Sequence, residues 1–285
     1  MRTLKNSFIL LVISLLMFAC QPNDIEIDLP EHEPRLSIFS QVIPDQVMLV
    51  TVTKSFNSLK PADDIKGDSA LINQLMVSNA IVKVHFSGRT VVLHNSSPGI
   101  YISTSVLQVP NQQYTLEVLD PATGLTCSAT STMLEKVSFD DLKVKSEITS
   151  ADTNHVLEYT ISDVAGKDNY YLVTYTPLNK RAGARNNNPF LSVSPPQNNY
   201  QLLTDRLFTE GQHNGKLSLN AEAGDTLAVS LINISEEYYK YLVVYQKSGR
   251  VFNQLTGEPI DFPTNIKNGY GFFTTHNPDV RIINL

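Results

Sequence analysis

Two thiols and six imidazoles are the most reactive side chains of this 285-residue chain, and their placement limits the chemistry it could run. Cys20 ends the apolar run from Phe8 to Ala19 and opens an acidic stretch, Gln21 to Glu33. Cys127 lies in Leu125-Thr126-Cys127-Ser128-Ala129, an alternation typical of a strand, and reads as a small buried hydrophobe. A reactive thiol would want cationic, accessible surroundings. If Cys20 is consumed by modification, Cys127 has no partner in the chain and no disulfide framework exists. The histidines at 32, 85, 94, 155, 213 and 276 are scattered, and none pairs at i, i+4 or within a metal motif. His85 and His94 could face each other across a hairpin, but a third ligand is not in sight. The chain has no Gly-x-Ser-x-Gly elbow and no cysteine–histidine arrangement. Carboxylate pairs for glycoside cleavage are defined by their separation in space, which a sequence does not display. The residues point to a non-enzymatic protein with no cofactor and no metal.

The surroundings of Cys20 are more telling than the thiol itself. Arg2 and Lys5 form a basic head, an apolar core follows with only Ser14 interrupting it, and Ala19 precedes the cysteine. That is the layout of a secretory signal over residues 1–19. The core is short of the roughly 20 residues a membrane-spanning helix needs. Leu16-Met17-Phe18-Ala19-Cys20 resembles a bacterial lipoprotein box, with Met17 where leucine is usual. That resemblance implies acylation of Cys20, which would then be the new N-terminus. Each buried methylene of an acyl chain contributes about 0.8 kcal/mol, so several chains on one cysteine anchor firmly. Residues 20–34 form an acidic linker with Asp24, Glu26, Asp28, Glu31, Glu33 and three prolines, unsuited to a core and read as a spacer.

The formal net charge is −6, and loss of residues 1–19 would make it −8 by removing Arg2 and Lys5. An acidic balance argues against nucleic acid and, taken over the whole chain, against adsorption to anionic lipid. Val, Ile, Thr and Tyr recur along the chain, which favours strands.

The elements follow from alternation and turn residues. Leu36 to Val42 and Val47 to Val52 read as strands around Pro44-Asp45, and Ser69 to Val77 as a short helix. Strands are expected at Ala80 to Phe86, Thr90 to His94, Ile100 to Thr104, Tyr114 to Leu119 and Cys127 to Thr132. That spacing predicts an all-β, immunoglobulin- or transthyretin-like sandwich over 35–136. Leu134 to Ser150 reads as irregular and charged, with a junction near Val137. A second β-rich domain over 137–285 is expected to hold strands at Val156 to Ser162, Asp168 to Thr176, Gln201 to Phe208, Lys216 to Leu219, Thr226 to Asn233 and Val280 to Leu285.

Within it, Ser235 caps a helix from Glu236 to Ser248, with Gly249 as its stop. Tyr238, Tyr241, Leu242 and Tyr245 form one stripe, expected to pack onto a sheet, with a sugar-stacking platform as the alternative. The loop from Lys180 to Tyr200 carries Lys180, Arg181 and Arg185, the only basic cluster, and is either a solvated loop or a contact for an anionic partner. Asp68-Ser69-Ala70 and Asp225-Thr226-Leu227 resemble a short O-glycosylation pattern of the Bacteroidota.

One order of motifs carries a family resemblance. Gly99-Ile100-Tyr101, Gln113 to Val118, Tyr170-Tyr171, Ser235-Glu236-Glu237-Tyr238-Tyr239-Lys240-Tyr241, Pro263 and Asn265 to Phe273 together resemble a Bacteroidota lipoprotein family, domain of unknown function 4249. Arg35 to Val42 departs from that family's more acidic, glycine-containing first strand. The resemblance implies a lipid-anchored outer-membrane protein, exposed at the cell surface, that accompanies a TonB-dependent receptor of the starch-utilisation type in nutrient uptake. A fimbrial or adhesin subunit, matured by cleavage after a basic residue such as Arg35, is the alternative.

Overall fold

The computed structural model describes residues 34–43, 47–55, 75–148, 153–164, 166–178, 199–248 and 262–285. The expected helix at Ser69 to Val77 lies mostly outside these residues. The described part is mainly β, with one α-helix.

Seven strands come from the first half: β1 (Leu36–Ile43), β2 (Val47–Lys54), β3 (Ile81–Phe86), β4 (Arg89–Ser97), β5 (Ile100–Ser103), β6 (Gln113–Leu119) and β7 (Thr126–Thr132). Alternation drives them. In β3 and β6 every second residue is buried, so Val82, Val84 and Phe86 meet Tyr114, Leu116 and Val118 in one core. The second half supplies β8 (Phe139–Ile148), β9 (Thr153–Ser162), β10 (Tyr170–Pro177), β11 (Tyr200–Thr204), β12 (Gln212–Leu219), β13 (Thr226–Ile234), α1 (Glu236–Ser248), β14 (Ile266–Lys267), β15 (Gly269–Phe272) and β16 (Asp279–Asn284).

The strands form three sheets. The largest has nine strands in the order β14-β7-β6-β3-β4-β5-β2-β1-β15. Its two edge strands, β14 and β15, are consecutive in the chain and separated only by Asn268, so the sheet rolls back on itself around its core. β14 runs antiparallel to β7, and β15 runs parallel to β1. The other sheets are β11-β10-β13-β16 and β12-β9-β8. A second core lies between them, built from Phe139, Leu157, Tyr159, Ile161, Tyr171, Val173, Leu227, Val229 and their neighbours. Helix α1 covers the outer side of the four-stranded sheet, where Tyr238, Tyr241 and Leu242 pack with Leu172, Ile232 and Phe272 in a third core.

Three expectations change. Leu134 to Ser150 is not irregular: it contains β8, a ten-residue strand. Its pairing with β9 shifts register between Phe139 and Asp141. That bulge puts one extra residue between the inward-facing Phe139 and Leu142 and breaks the period of two that marks a strand. The C-terminal segment also divides itself between the halves, because β14 and β15 complete the sheet of 36–132 while β16 completes the four-stranded sheet. Gln201 to Phe208 is shorter as a strand than expected, since Asp205–Leu207 turns into a 3₁₀ helix.

Candidate functional site

The residues singled out from sequence do not converge. Cys20, Asp68-Ser69-Ala70 and all but Asn199 and Tyr200 of the basic loop lie outside the described residues. Thr226 of the other glycosylation triplet is half-buried at the start of β13, and its hydroxyl donates to Asn284 Oδ1 at 2.8 Å. Leu227 beside it is fully buried. Cys127 is buried and free, and burial pushes its thiol up to about 12, so it is not a nucleophile in the folded protein.

His32 lies outside the described residues, and the other histidines do not gather into one site. His85 and His94 do not face each other, because the register of β3 and β4 sets Thr90 opposite His85. His85 Nδ1 lies 2.8 Å from Thr90 Oγ1, and its Nε2 lies 3.1 Å from Glu117 Oε2, an ion-pair contact poorly aligned for a hydrogen bond. Hydroxyl, imidazole and carboxylate in a row resemble a nucleophilic relay. They stand on paired strands, and although the side chains are 34% exposed at His85 and 57% at Glu117, His85 Nε2 is itself shielded from solvent and has no hydrogen-bond partner, so the row is not joined into a relay. His155 is buried against Ser146, and His213 stacks on Phe208 and Tyr159. His276 is buried beside Tyr238, and burial holds its imidazole down at about 4. Among the described residues no group of three or more His, Cys, Asp or Glu side chains could hold a metal.

The aromatic stripe of α1 resolves toward packing. Tyr238 and Tyr241 are buried, and both lie close to Phe272, with ring centroids at 5.1 and 5.4 Å. Tyr245 stays half-buried at the end of the stripe. Ser235 Oγ accepts the Tyr238 amide at 3.2 Å, the expected cap. The tyrosine pair divides its work. Tyr171 is buried and donates to Asp163 Oδ1 at 2.9 Å, while Tyr170 stacks on Tyr239 at 5.0 Å.

The residues that do converge are those of the C-terminal segment. Asn265 behaves as a side-chain strand. Its amide nitrogen donates to Thr130 O at 3.0 Å and to Phe273 O at 2.7 Å, and its Oδ1 accepts the Phe273 amide at 2.9 Å. Thr264 Oγ1 donates to Gly271 O and accepts the Ile266 amide. Between these anchors Asn268 takes a φ of 60°, a left-handed position that Asn tolerates. Gly269 passes so near Leu36 that a Cβ would stand 2.7 Å from its carbonyl oxygen. Gly271 has a φ of 89°, and a Cβ there would fall onto the Ile38 carbonyl.

Phe273 to His276 is buried throughout without being strand, and side chains bond to its backbone. Ser40 Oγ donates to Thr274 O and accepts the Thr274 amide, and Ser131 Oγ accepts the Thr275 amide. Asp279 then closes the path. It is 5% exposed, accepts the Phe139 amide at 3.1 Å, and pairs with Lys136 at 3.4 Å and Arg281 at 3.1 Å. Chemically this is a clasp: amide and hydroxyl groups matched to backbone groups, closed by the ion pairs of Asp279 with Lys136 and Arg281.

A cleft of about 350 Å³ opens beside this clasp, between the free edges of β8 and β16. Phe139, Leu142, Val144 and Ile283 line it, with Asp140, Asp141 and Arg281 at the rim. The charges are already engaged: Asp140 accepts from Ser162, Asp141 from Lys143, and Arg281 pairs with Asp279. Sequence reading did not find Ser40, Ser131 or Asp279, because each acts on a partner more than 130 residues away.

The family profile described as domain of unknown function DUF4249 matches residues 23–282. That is nearly the whole chain, and the protein belongs to this family. No curated protein matches it.

Proposed function

We propose that this DUF4249 protein is a non-enzymatic surface lipoprotein, held in the outer membrane by acyl chains on Cys20, that binds a ligand or partner beside a TonB-dependent transporter. The observation that carries the reading is the position of Cys20. It stands between a leader-like run and an acidic, proline-containing stretch, immediately ahead of a compact β unit that begins at Pro34. Among the described residues no helix is long and apolar enough to cross a membrane, so the acyl anchor is the means of attachment this reading invokes. The fimbrial alternative fares less well on geometry. Cleavage after Arg35 would leave β1 intact and paired on both sides, with β2 and β15. It would create no vacant strand position for another subunit to fill.

Thiol counting tests the anchor. Cys127 is buried with a raised pKa, so an unacylated, folded chain presents one fast-reacting thiol, Cys20. Protein extracted from the native membrane is expected to present none, and its N-terminal peptide to carry the mass of acyl chains. A free Cys20 thiol in that material would end the lipoprotein reading. Affinity capture of the anchored protein is expected to bring down an outer-membrane β-barrel receptor, and its absence would end the transporter reading.

A further inference from the structure

The charge of this protein is unevenly distributed, and one end of the nine-stranded sheet departs from the acidic whole. Strand registers define that end. Leu36 pairs with Lys54 and with Gly269, Ile266-Lys267 pairs with Ala129-Ser128, and Ile81 pairs with Leu119, which pairs with Thr126. The segments 34–36, 53–55, 77–81, 94–100, 118–127 and 266–270 therefore meet at one end. Among these described residues the cations are Arg35, Lys54 and Lys267, and the only acid is Asp120. Asp120 is 4% exposed and turned inward onto the Ala122 amide and the Thr123 hydroxyl. Glu117, one row further in, is engaged by His85.

The same end exposes apolar surface. Ile81 is 42% exposed, Leu119 37% and Tyr270 44%. Arg35 lies over the Tyr270 ring at 5.6 Å, which keeps a guanidinium and an aromatic side by side at the surface. Basic residues beside exposed aromatic and aliphatic side chains make the composition that settles at a membrane–water interface. The chain that leads to Cys20 leaves the body at Pro34, beside Arg35. Fourteen residues lie between Cys20 and Arg35, so a fully extended connection spans at most about 50 Å.

We infer that this end, presenting Arg35, Lys54, Lys267 and Tyr270 with Ile81 and Leu119, is a docking surface for the anionic headgroups of the bilayer in which Cys20 is anchored. The inference rests on the lipoprotein reading for its setting and goes beyond it by giving the body an orientation. Whole-chain charge argues against lipid adsorption, but adsorption answers to the local field within a Debye length, and the described residues of this end carry three cations against one buried carboxylate. Docking at this end would keep the opposite end of the rolled sheet, and the two smaller sheets that follow it, away from the membrane.

The experiment uses the chain from Cys20 onward carrying Cys20→Ser, which retains every described residue and cannot be acylated. Its sedimentation with vesicles of phosphatidylglycerol and phosphatidylethanolamine is compared with that on phosphatidylcholine alone, at low and high salt. Selective, salt-sensitive binding to the anionic vesicles is expected. The variant R35Q/K54Q/K267Q is expected to lower the partition coefficient by roughly a hundredfold, each basic residue contributing a few-fold. The variant K143Q/K145Q/K240Q, which removes three distant cations, is expected to change it by less than about threefold. Circular dichroism of both variants checks that each is folded. Absence of binding to anionic vesicles, equal binding to both vesicle types, or equal loss in the two triple variants overturns the inference. None of these results bears on acylation, which the mass of the native N-terminal peptide decides separately.

Discussion

Substituting Gly271 by alanine tests the clasp most directly, because two separable penalties meet at that residue. Its φ of 89° lies in the left-handed region, where a Cβ costs about 1–2 kcal/mol. The added Cβ would also fall onto the Ile38 carbonyl, which belongs to a strand held on both sides and cannot retreat without disturbing β1. Forcing an atom into packed structure typically costs a further ~1–3 kcal/mol. Two sister substitutions separate the terms. Gly124→Ala meets a φ of 75° but no atom within 4 Å, so it carries strain alone. Gly269→Ala meets the Leu36 carbonyl at 2.7 Å and the Ile266 side chain at 2.8 Å without positive φ, so it carries overlap alone. Gly271→Ala should then lose about 3–4 kcal/mol, near the sum of the other two, a large share of the ~5–15 kcal/mol that holds a typical domain. Urea unfolding followed by tyrosine fluorescence gives the three values, and hydrogen exchange should show the loss centred on β1, β7 and β15. Equal losses for Gly124→Ala and Gly271→Ala would refute the assignment of β15 as a strand pressed against β1.

The remaining predictions address the polar half of the clasp. Asn265→Ala removes three hydrogen bonds, two of them to Phe273, and is expected to cost about 2–4 kcal/mol in the same assay. Asn265→Asp should cost more at neutral pH than at pH 3, because an ionised carboxylate cannot donate to the Thr130 and Phe273 carbonyls. His276 has its pKa lowered by burial to about 4, so the unfolded chain binds its proton first as pH falls from 6.5. Its contribution is intact above pH 6.5 and is lost progressively toward pH 4, by about 3 kcal/mol; His276→Phe should flatten the stability profile across that window. Asp279→Asn keeps the shape but removes the charge that Lys136 and Arg281 face, and is expected to cost about 2–4 kcal/mol, with faster hydrogen exchange at Phe139.

The legible parts of the fold are those whose physics is local. Helix α1 could be read to its ends because Ser235, the acidic first turn, the tyrosine stripe and Lys247 all lie within one short window. The strands of the first sheet were legible because alternation at β3 and β6 is strict. β8 was missed where a bulge shifts that alternation and Asp140, Asp141, Lys143 and Lys145 crowd its outer side. The Asn265 to Phe273 motif could be noticed but not interpreted. Its glycines answer to carbonyls of Leu36 and Ile38, and Asn265 answers to Thr130, none of which the local sequence announces. The end of the first sheet whose described residues carry three cations and one buried acid was hidden for the same reason. Arg35, Lys54 and Lys267 are far apart in sequence, and the net charge averages them away.

The clasp also bears on how the first sheet is closed. Without Ile266 to Phe272 in place, β7 and β1 would be open edges of the sheet, the kind of edge that invites pairing with another chain. One short segment caps both, because Asn268 turns the chain from the β7 edge to the β1 edge. The same segment then runs buried past Ser40, Ser131 and Tyr238 into β16, so completing the first sheet and completing the four-stranded sheet are a single event. Contacts between residues more than 200 positions apart carry a high loop-closure cost and form late. The glycines at 269 and 271, the amide at 265 and the aromatics at 272 and 273 therefore answer to the closing of the two sheets.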